Sequence, residues 1–209
     1  MTTAMGATAP ERQWYIVGRW QEFAGESRAN LLRIVAIGAF YAVQLVNFYV
    51  FSGSDVQQLP FHQRATAIAV AWIMVALAVM LCQRMRVFPA GLKYASTAGD
   101  LLLLTALATL AAGPFSPLVM VYFVIISMAS LRLSVGLVWF ATLGSMAGYW
   151  GLVGGADRTW FDADHVVPPT TQLVTLLSLG LTGVVLGQTV RAMKFLAAEY
   201  ANRIRTAST

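Results

Sequence analysis

Ionisable side chains inside apolar stretches are the first candidates for chemistry in this sequence, and Asp100 is the clearest of them. It precedes four consecutive leucines in the run STAGDLLLLTALATLAAGPFSP, residues 96–117. A carboxylate in such surroundings is expected to titrate, to bind a ligand or to pair with a cation. Lys93 and Arg132 are the predicted ion-pair partners. A structural contact is the favoured interpretation, and a proton- or ligand-responsive switch or a tolerated lipid-facing acid are the alternatives.

Few other residues are suited to chemistry. The apolar runs contain no pair of carboxylates, no histidine and no nucleophile beside a base, so an enzyme is not expected. The stretch GGADRTWFDADHVVPP holds weak metal candidates in Asp162, Asp164 and His165, but its spacing lacks the Gly and bidentate Glu of a calcium loop. Turn-forming composition explains this cluster better, and we predict neither a metal site nor a catalytic residue.

The composition indicates an integral membrane protein. Of 209 residues, 58% are hydrophobic and only 11% are charged, which lies outside the range of soluble domains. The net charge of +5 comes from short basic groups between apolar runs, a distribution typical of orientation signals and not of nucleic-acid binding. The single cysteine, Cys82, excludes an intramolecular disulfide. No signal peptide is recognised, so the first span is expected to direct insertion.

The apolar runs predict an all-α polytopic bundle of six transmembrane helices. With the N-terminus in the cytoplasm, alternation places all of the 14 lysines and arginines inside except Arg64 and Arg158. Both termini are then cytoplasmic, as the positive-inside rule requires. The predicted spans are residues 31–51, 65–82, 94–112, 117–131, 133–153 and 170–190.

Three regions follow from this assignment. Residues 1–30 are a cytoplasmic segment with a short interfacial amphipathic helix, residues 31–190 are the six-helix domain, and residues 191–209 are a cytoplasmic helical tail. This assignment depends on an apolar stripe of Trp14, Val17, Trp20 and Phe23, and a short helix packed on the inner rim of the bundle is the alternative. A second stripe continues from the sixth span, at the spacing of a helix that pairs with a partner, and a frayed helix end is the alternative. It consists of Val190, Met193, Ala197, Tyr200 and Ile204.

Two pairs of glycines in the last spans are spaced four residues apart. Gly144 and Gly148 lie in the fifth span, and Gly183 and Gly187 lie in the sixth. Small residues at this spacing let helix backbones approach closely. We predict that they pack within the bundle, with dimer contacts as the minority interpretation.

The third and fourth spans carry a family resemblance. The stretch GDLLLLTALATLAAGPFSPLVMVYFVIISMASLRLS, residues 99–134, resembles the six-span input domains of bacterial sensor histidine kinases of the pilus-regulating and redox-responsive RegB kinds. In the latter, a Gly-Gly-x-x-Asn-Pro-Phe element at the outer turn is implicated in quinone sensing. Gly113 and Pro117 match that element, whereas Ala112, Ser116 and Leu118 differ from it. The resemblance implies a quinone or ligand turn at Gly113, Phe115, Ser116 and Pro117.

The resemblance also implies a function. We expect a non-catalytic module of the bacterial inner membrane that passes a membrane or periplasmic signal to the cytoplasm through its last helix, as a homodimer. The alternative is a structural or accessory subunit that packs against partners in a larger membrane complex. Residues 191–209 include no histidine, so no phosphotransfer is expected of them. Either a longer receptor or a free-standing protein fits this sequence.

Overall fold

The structure is a computed structural model that describes the backbone of residues 9–51, 59–85, 91–155 and 167–207, and the side chains of residues 25–51, 59–85, 91–154, 167–200 and 202–203. These residues form helices and turns and include no strand. In hydrocarbon, a helix satisfies its backbone N–H and C=O groups within its own segment. The helices are α1 (Ala9–Val46), α2 (Leu59–Arg84), α3 (Leu92–Ala111), α4 (Val121–Leu131), α5 (Val135–Gly155) and α6 (Pro169–Ala207).

The predicted all-α architecture is confirmed for the described residues, but six full-length spans are not. Five helices are long and apolar enough to cross a membrane, and the fourth apolar segment, Pro117–Leu131, is shorter. Its α-helical part, α4, has only 11 residues. It is short because Gly113 adopts a left-handed φ of 56° and Pro117 supplies no backbone donor. Two 3₁₀ turns, Gly113–Phe115 and Pro117–Met120, therefore precede the helix.

The first helix begins earlier than predicted. α1 runs without a break from Ala9, so the predicted interfacial helix is not a separate element. Its stripe from Trp14 to Phe23 lies outside the described side chains. Among the described side chains, the membrane-length part of α1 covers Gly25–Phe51, and a π-helical turn, Asn47–Phe51, completes it. Three polar residues, Glu26, Asn30 and Arg33, lie on this part of the helix.

The first two helices run in opposite directions. Asn30 bonds to Ala76, and further along α1 Tyr41 bonds to Thr66, so α1 and α2 are antiparallel. The helix α5 packs against α3, α4 and α6, while α1, α2, α3 and α4 form a closed ring in which each contacts the next. The core lies around α5, and the four-helix ring lies beside it.

Three of the four predicted packing glycines lie at close helix contacts. A Cβ atom on Gly144 would meet the Leu101 side chain, and one on Gly148 would come 2.7 Å from the Tyr122 hydroxyl. A Cβ on Gly183 would come 2.6 Å from Thr142 Cγ2, whereas one on Gly187 would have no neighbour within 4 Å among the described residues. Close approach within the bundle thus needs glycine at position 183 and not at position 187.

This difference gives a matched pair of substitutions. We expect Gly183→Ala to lower the free energy of unfolding by about 1–3 kcal/mol, because the added methyl group overpacks against the β-branched Thr142. Thr142 cannot easily turn away, since its hydroxyl donates to the Val138 carbonyl at 2.8 Å. Gly187→Ala should be neutral or stabilise by up to about 1 kcal/mol through helix propensity. Denaturant titration in detergent measures both free energies of unfolding. Equal values for the two variants would contradict a close contact between Gly183 and Thr142.

Candidate functional site

Asp100 is buried inside α3 and accepts three hydrogen bonds. It lies about 12 Å along the helix from Leu92 at 1.5 Å per residue and is 2% exposed. Arg33 donates through Nε to Oδ1 at 2.7 Å and through Nη2 to Oδ2 at 2.7 Å. Trp72 donates through Nε1 to Oδ1, also at 2.7 Å. A bidentate ion pair with an added indole donor satisfies most of the capacity of the carboxylate.

From Arg33 the network continues to Asn30 on the same helix and then to α2. Arg33 Nη1 donates to the Asn30 side-chain oxygen at 2.8 Å, and Asn30 Nδ2 donates to the Ala76 carbonyl at 3.1 Å. Asn30 and Arg33 are three residues apart and therefore share one face of α1. The site thus fastens α1, α2 and α3 together through buried polar contacts.

The cation that pairs with Asp100 is Arg33, not the predicted Lys93 or Arg132. The predicted first span, residues 31–51, places Arg33 near its cytoplasmic end, but the side chain is 2% exposed. The reason is the earlier start of α1, which places Arg33 inside the helix facing α3. The signal that sequence reasoning missed is a polar stripe, because Glu26, Asn30 and Arg33 recur at spacings of four and three residues.

A second buried ion pair lies at the end of α4. Arg132 Nη2 lies 2.9 Å from Glu26 Oε1, with the two side chains 4% and 2% exposed. Arg132 also donates to three groups of α3, namely the Lys93 carbonyl, the Thr97 hydroxyl and the Ser96 hydroxyl. Lys93 therefore contributes its backbone oxygen to Arg132. This pair joins α1, α3 and α4 at one end of the bundle.

Local backbone geometry positions Arg132. α4 ends there, and Leu133 adopts a left-handed φ of 50°, which reverses the chain toward α5. On the other side, Gly25 lets α1 approach closely, since a Cβ atom there would lie 3.1 Å from the Leu131 carbonyl oxygen and 3.2 Å from the Arg132 Cα. The close approach brings Glu26 within reach of the guanidinium.

The turn predicted to bind a quinone or another ligand is only partly at a cavity. Ser116 is buried and its hydroxyl accepts from the Leu118 backbone N–H at 3.2 Å, so it caps the second 3₁₀ turn. Ser116 and Pro117 line a groove, but Gly113 and Phe115 do not, and Phe115 is 60% exposed. The structure therefore places half of the predicted turn at the groove.

The groove lies inside the ring of α1, α2, α3 and α4 and has a volume of about 890 Å³. Arg33, Trp72 and Asp100 line one end of it, and Ala112, Ser116 and Pro117 line the other. Its walls between these ends are largely apolar. Cavities that bind drug-sized ligands have volumes of about 300–1,000 Å³, so the groove is large enough for one. The weak metal candidates Asp162, Asp164 and His165 lie outside the described residues.

Comparison with known proteins supplies no relative: no protein-family model, curated protein or solved structure matches this chain. The resemblance to sensor input domains, strongest between Gly99 and Arg132, therefore stays a prediction from the sequence.

Proposed function

We propose that this chain is a non-catalytic membrane module of the sensor-input type, with six crossings of a bacterial inner membrane and both termini in the cytoplasm. The observation that carries the proposal is the length of α6, which has 39 residues and would extend about 58 Å at 1.5 Å per residue. A hydrocarbon core is about 30 Å thick. Roughly half of α6 therefore extends past the hydrocarbon and provides an unbroken connection for a signal.

The burial of α6 supports this role. Val190 is 1% exposed, and the residues from 191 to 198 are all exposed. On the extension, Met193, Ala197 and Tyr200 form an apolar stripe with heptad spacing. The stripe presents no described partner within the chain and suits a second copy. The two ion pairs hold the helices in register, as a signalling module requires. Asp100 is bonded to Arg33 and Trp72, so its carboxylate is not free to act as a catalytic acid or base.

Cysteine crosslinking tests this proposal. In a Cys82→Ser background, we expect Ala197→Cys to form a disulfide between two copies under oxidation in native membranes. Phe195→Cys should not crosslink, because position 195 lies about 200° around the helix from position 197, although it is 70% exposed. Gel electrophoresis without reductant measures the dimer.

Labelling of the same two variants serves as the control for topology. A membrane-impermeant thiol reagent should reach both positions only from the cytoplasmic side. Labelling from the outside would overturn the cytoplasmic location of the C-terminal tail. Exposed Phe195, which lies on the face of α6 opposite the stripe, favours the alternative of an accessory subunit that packs against other proteins. Absence of a crosslink at position 197 would support that alternative over a dimeric sensor.

A further inference from the structure

The groove inside the four-helix ring opens toward the surrounding lipid. Among its lining residues, Phe40 and Val43 of α1 are 43% and 68% exposed, and Val124 of α4 is 39% exposed. Residues that line a cavity and are also exposed mark its rim. The rim therefore runs between α1 and α4, where a molecule dissolved in the bilayer can enter sideways.

The shape of the groove suits a chain that lies parallel to the helices. Asp100 and Ala112 both line it, and they are about 18 Å apart along α3 at 1.5 Å per residue. One leaflet of a bilayer has a hydrocarbon thickness of about 15 Å. The groove is therefore about as long as a lipid chain, and its apolar walls match such a chain in chemistry.

The polar end offers hydrogen-bond donors. A guanidinium has five N–H groups, and Arg33 uses three of them, two toward Asp100 and one toward Asn30. Among the described residues the other two have no acceptor. Arg33 is only 2% exposed, and it lines the groove. An acceptor oxygen on a bound molecule would satisfy these donors, which would otherwise stay unpaired at a cost.

The charge at this end selects against ionic head groups. Arg33 and Asp100 carry opposite charges and lie 2.7 Å apart, so together they are neutral. An anionic head would approach the Asp100 carboxylate, and a cationic head would approach the Arg33 guanidinium. Both also lose hydration in a low-dielectric site. An uncharged head avoids these costs.

We infer that the groove binds one lipid chain with an uncharged head, whose oxygen accepts hydrogen bonds from Arg33 while the chain lies between α1 and α4. Long-chain alcohols and monoacylglycerols have this chemistry. The inference goes beyond the proposed function, because binding does not require α6 to transmit a signal.

Three probes that share one chain and differ in head charge test the inference. Monoolein is uncharged, oleate is anionic and oleylamine is cationic. Each is titrated into the purified full chain in detergent, and the midpoint of thermal unfolding is followed, since a ligand of the native state raises it. We expect monoolein to raise the midpoint, and the charged probes to need at least about tenfold higher concentration for the same rise.

Two pairs of variants separate binding from folding. Ala69 lines the groove on α2, whereas Ala71 on the same helix is exposed and does not. Ala69→Leu should remove the response to monoolein, and Ala71→Leu should keep it. At the other end, Ala111 lines the groove and Ala106 is exposed outside it. Ala111→Leu and Ala106→Leu repeat the test if leucine at position 69 prevents folding.

Three results would overturn the inference. The first is an equal rise for the groove variants and their controls, which would indicate a general detergent effect. The second is a larger rise with oleate or oleylamine than with monoolein, which would indicate a charged ligand. The third is no rise with any of the three probes.

Discussion

Asp100→Leu is expected to lower the free energy of unfolding of the bundle by about 3–5 kcal/mol, because it leaves the buried Arg33 guanidinium without its counter-charge. The substitution removes all three hydrogen bonds that the carboxylate accepts, two from Arg33 and one from Trp72. Asp100→Asn should lose less, about 1–3 kcal/mol, since the amide oxygen can still accept a hydrogen bond but carries no charge. Equilibrium unfolding by denaturant in mixed micelles measures these losses.

The double variant distinguishes an ion pair from two independent residues. Arg33→Met alone should also cost about 3–5 kcal/mol, because it strands the carboxylate, whereas Arg33→Met combined with Asp100→Leu should recover most of the loss. The indole N–H of Trp72 then remains unpaired at a cost of about 1–3 kcal/mol. Trp72→Phe added to the double variant should remove that cost.

Additive losses would contradict this account. If the double variant loses the sum of the two single losses, Arg33 and Asp100 do not stabilise each other, and the network does not fasten α1 to α3. If wild type, Asn and Leu forms are equally stable, the carboxylate has no structural role.

The second large effect is expected at Arg132. Arg132→Met should lower the free energy of unfolding by about 3–5 kcal/mol, because it strands the buried Glu26 carboxylate. It also removes the bonds by which the guanidinium holds the start of α3 to the end of α4. Arg132→Lys should lose less than Met, since an ammonium keeps the charge but cannot match the fork geometry of the guanidinium.

Arg191→Met is the matched control. Arg191 is exposed on α6, and loss of an exposed charge should change stability by no more than about 0.5 kcal/mol. Glu26→Gln should lie between the two, because the amide keeps a hydrogen bond to Arg132 without its charge. A loss at Arg191 as large as that at Arg132 would show a general sensitivity to net charge, and the buried pair would then have no special role.

The amino-acid sequence by itself determined that the chain has helical segments of membrane length and that its unusual acid lies within one of them. Apolar runs of membrane length allow only helices in hydrocarbon, and Asp100 next to four leucines had to be shielded there. The sequence also indicated, through pairs of glycines spaced four residues apart, where helix backbones could approach closely. It did not distinguish Gly183 from Gly187, because the two glycines share one helix face and their spacing does not indicate which turn of that face meets Thr142.

Only the tertiary structure decided which cation shields Asp100. Lys93 and Arg132 are nearer in sequence, but the pairing is with Arg33, which is 67 residues away. Sequence separation is a poor guide here, since a residue on α1 reaches α3 once the two helices share a ring, and each helix can present any of several faces to its neighbours. Packing also decided the place of two other polar residues of α1. Glu26 and Asn30 look like the polar end of a span until Arg132 and Ala76 supply buried partners that make their place inside the bundle favourable.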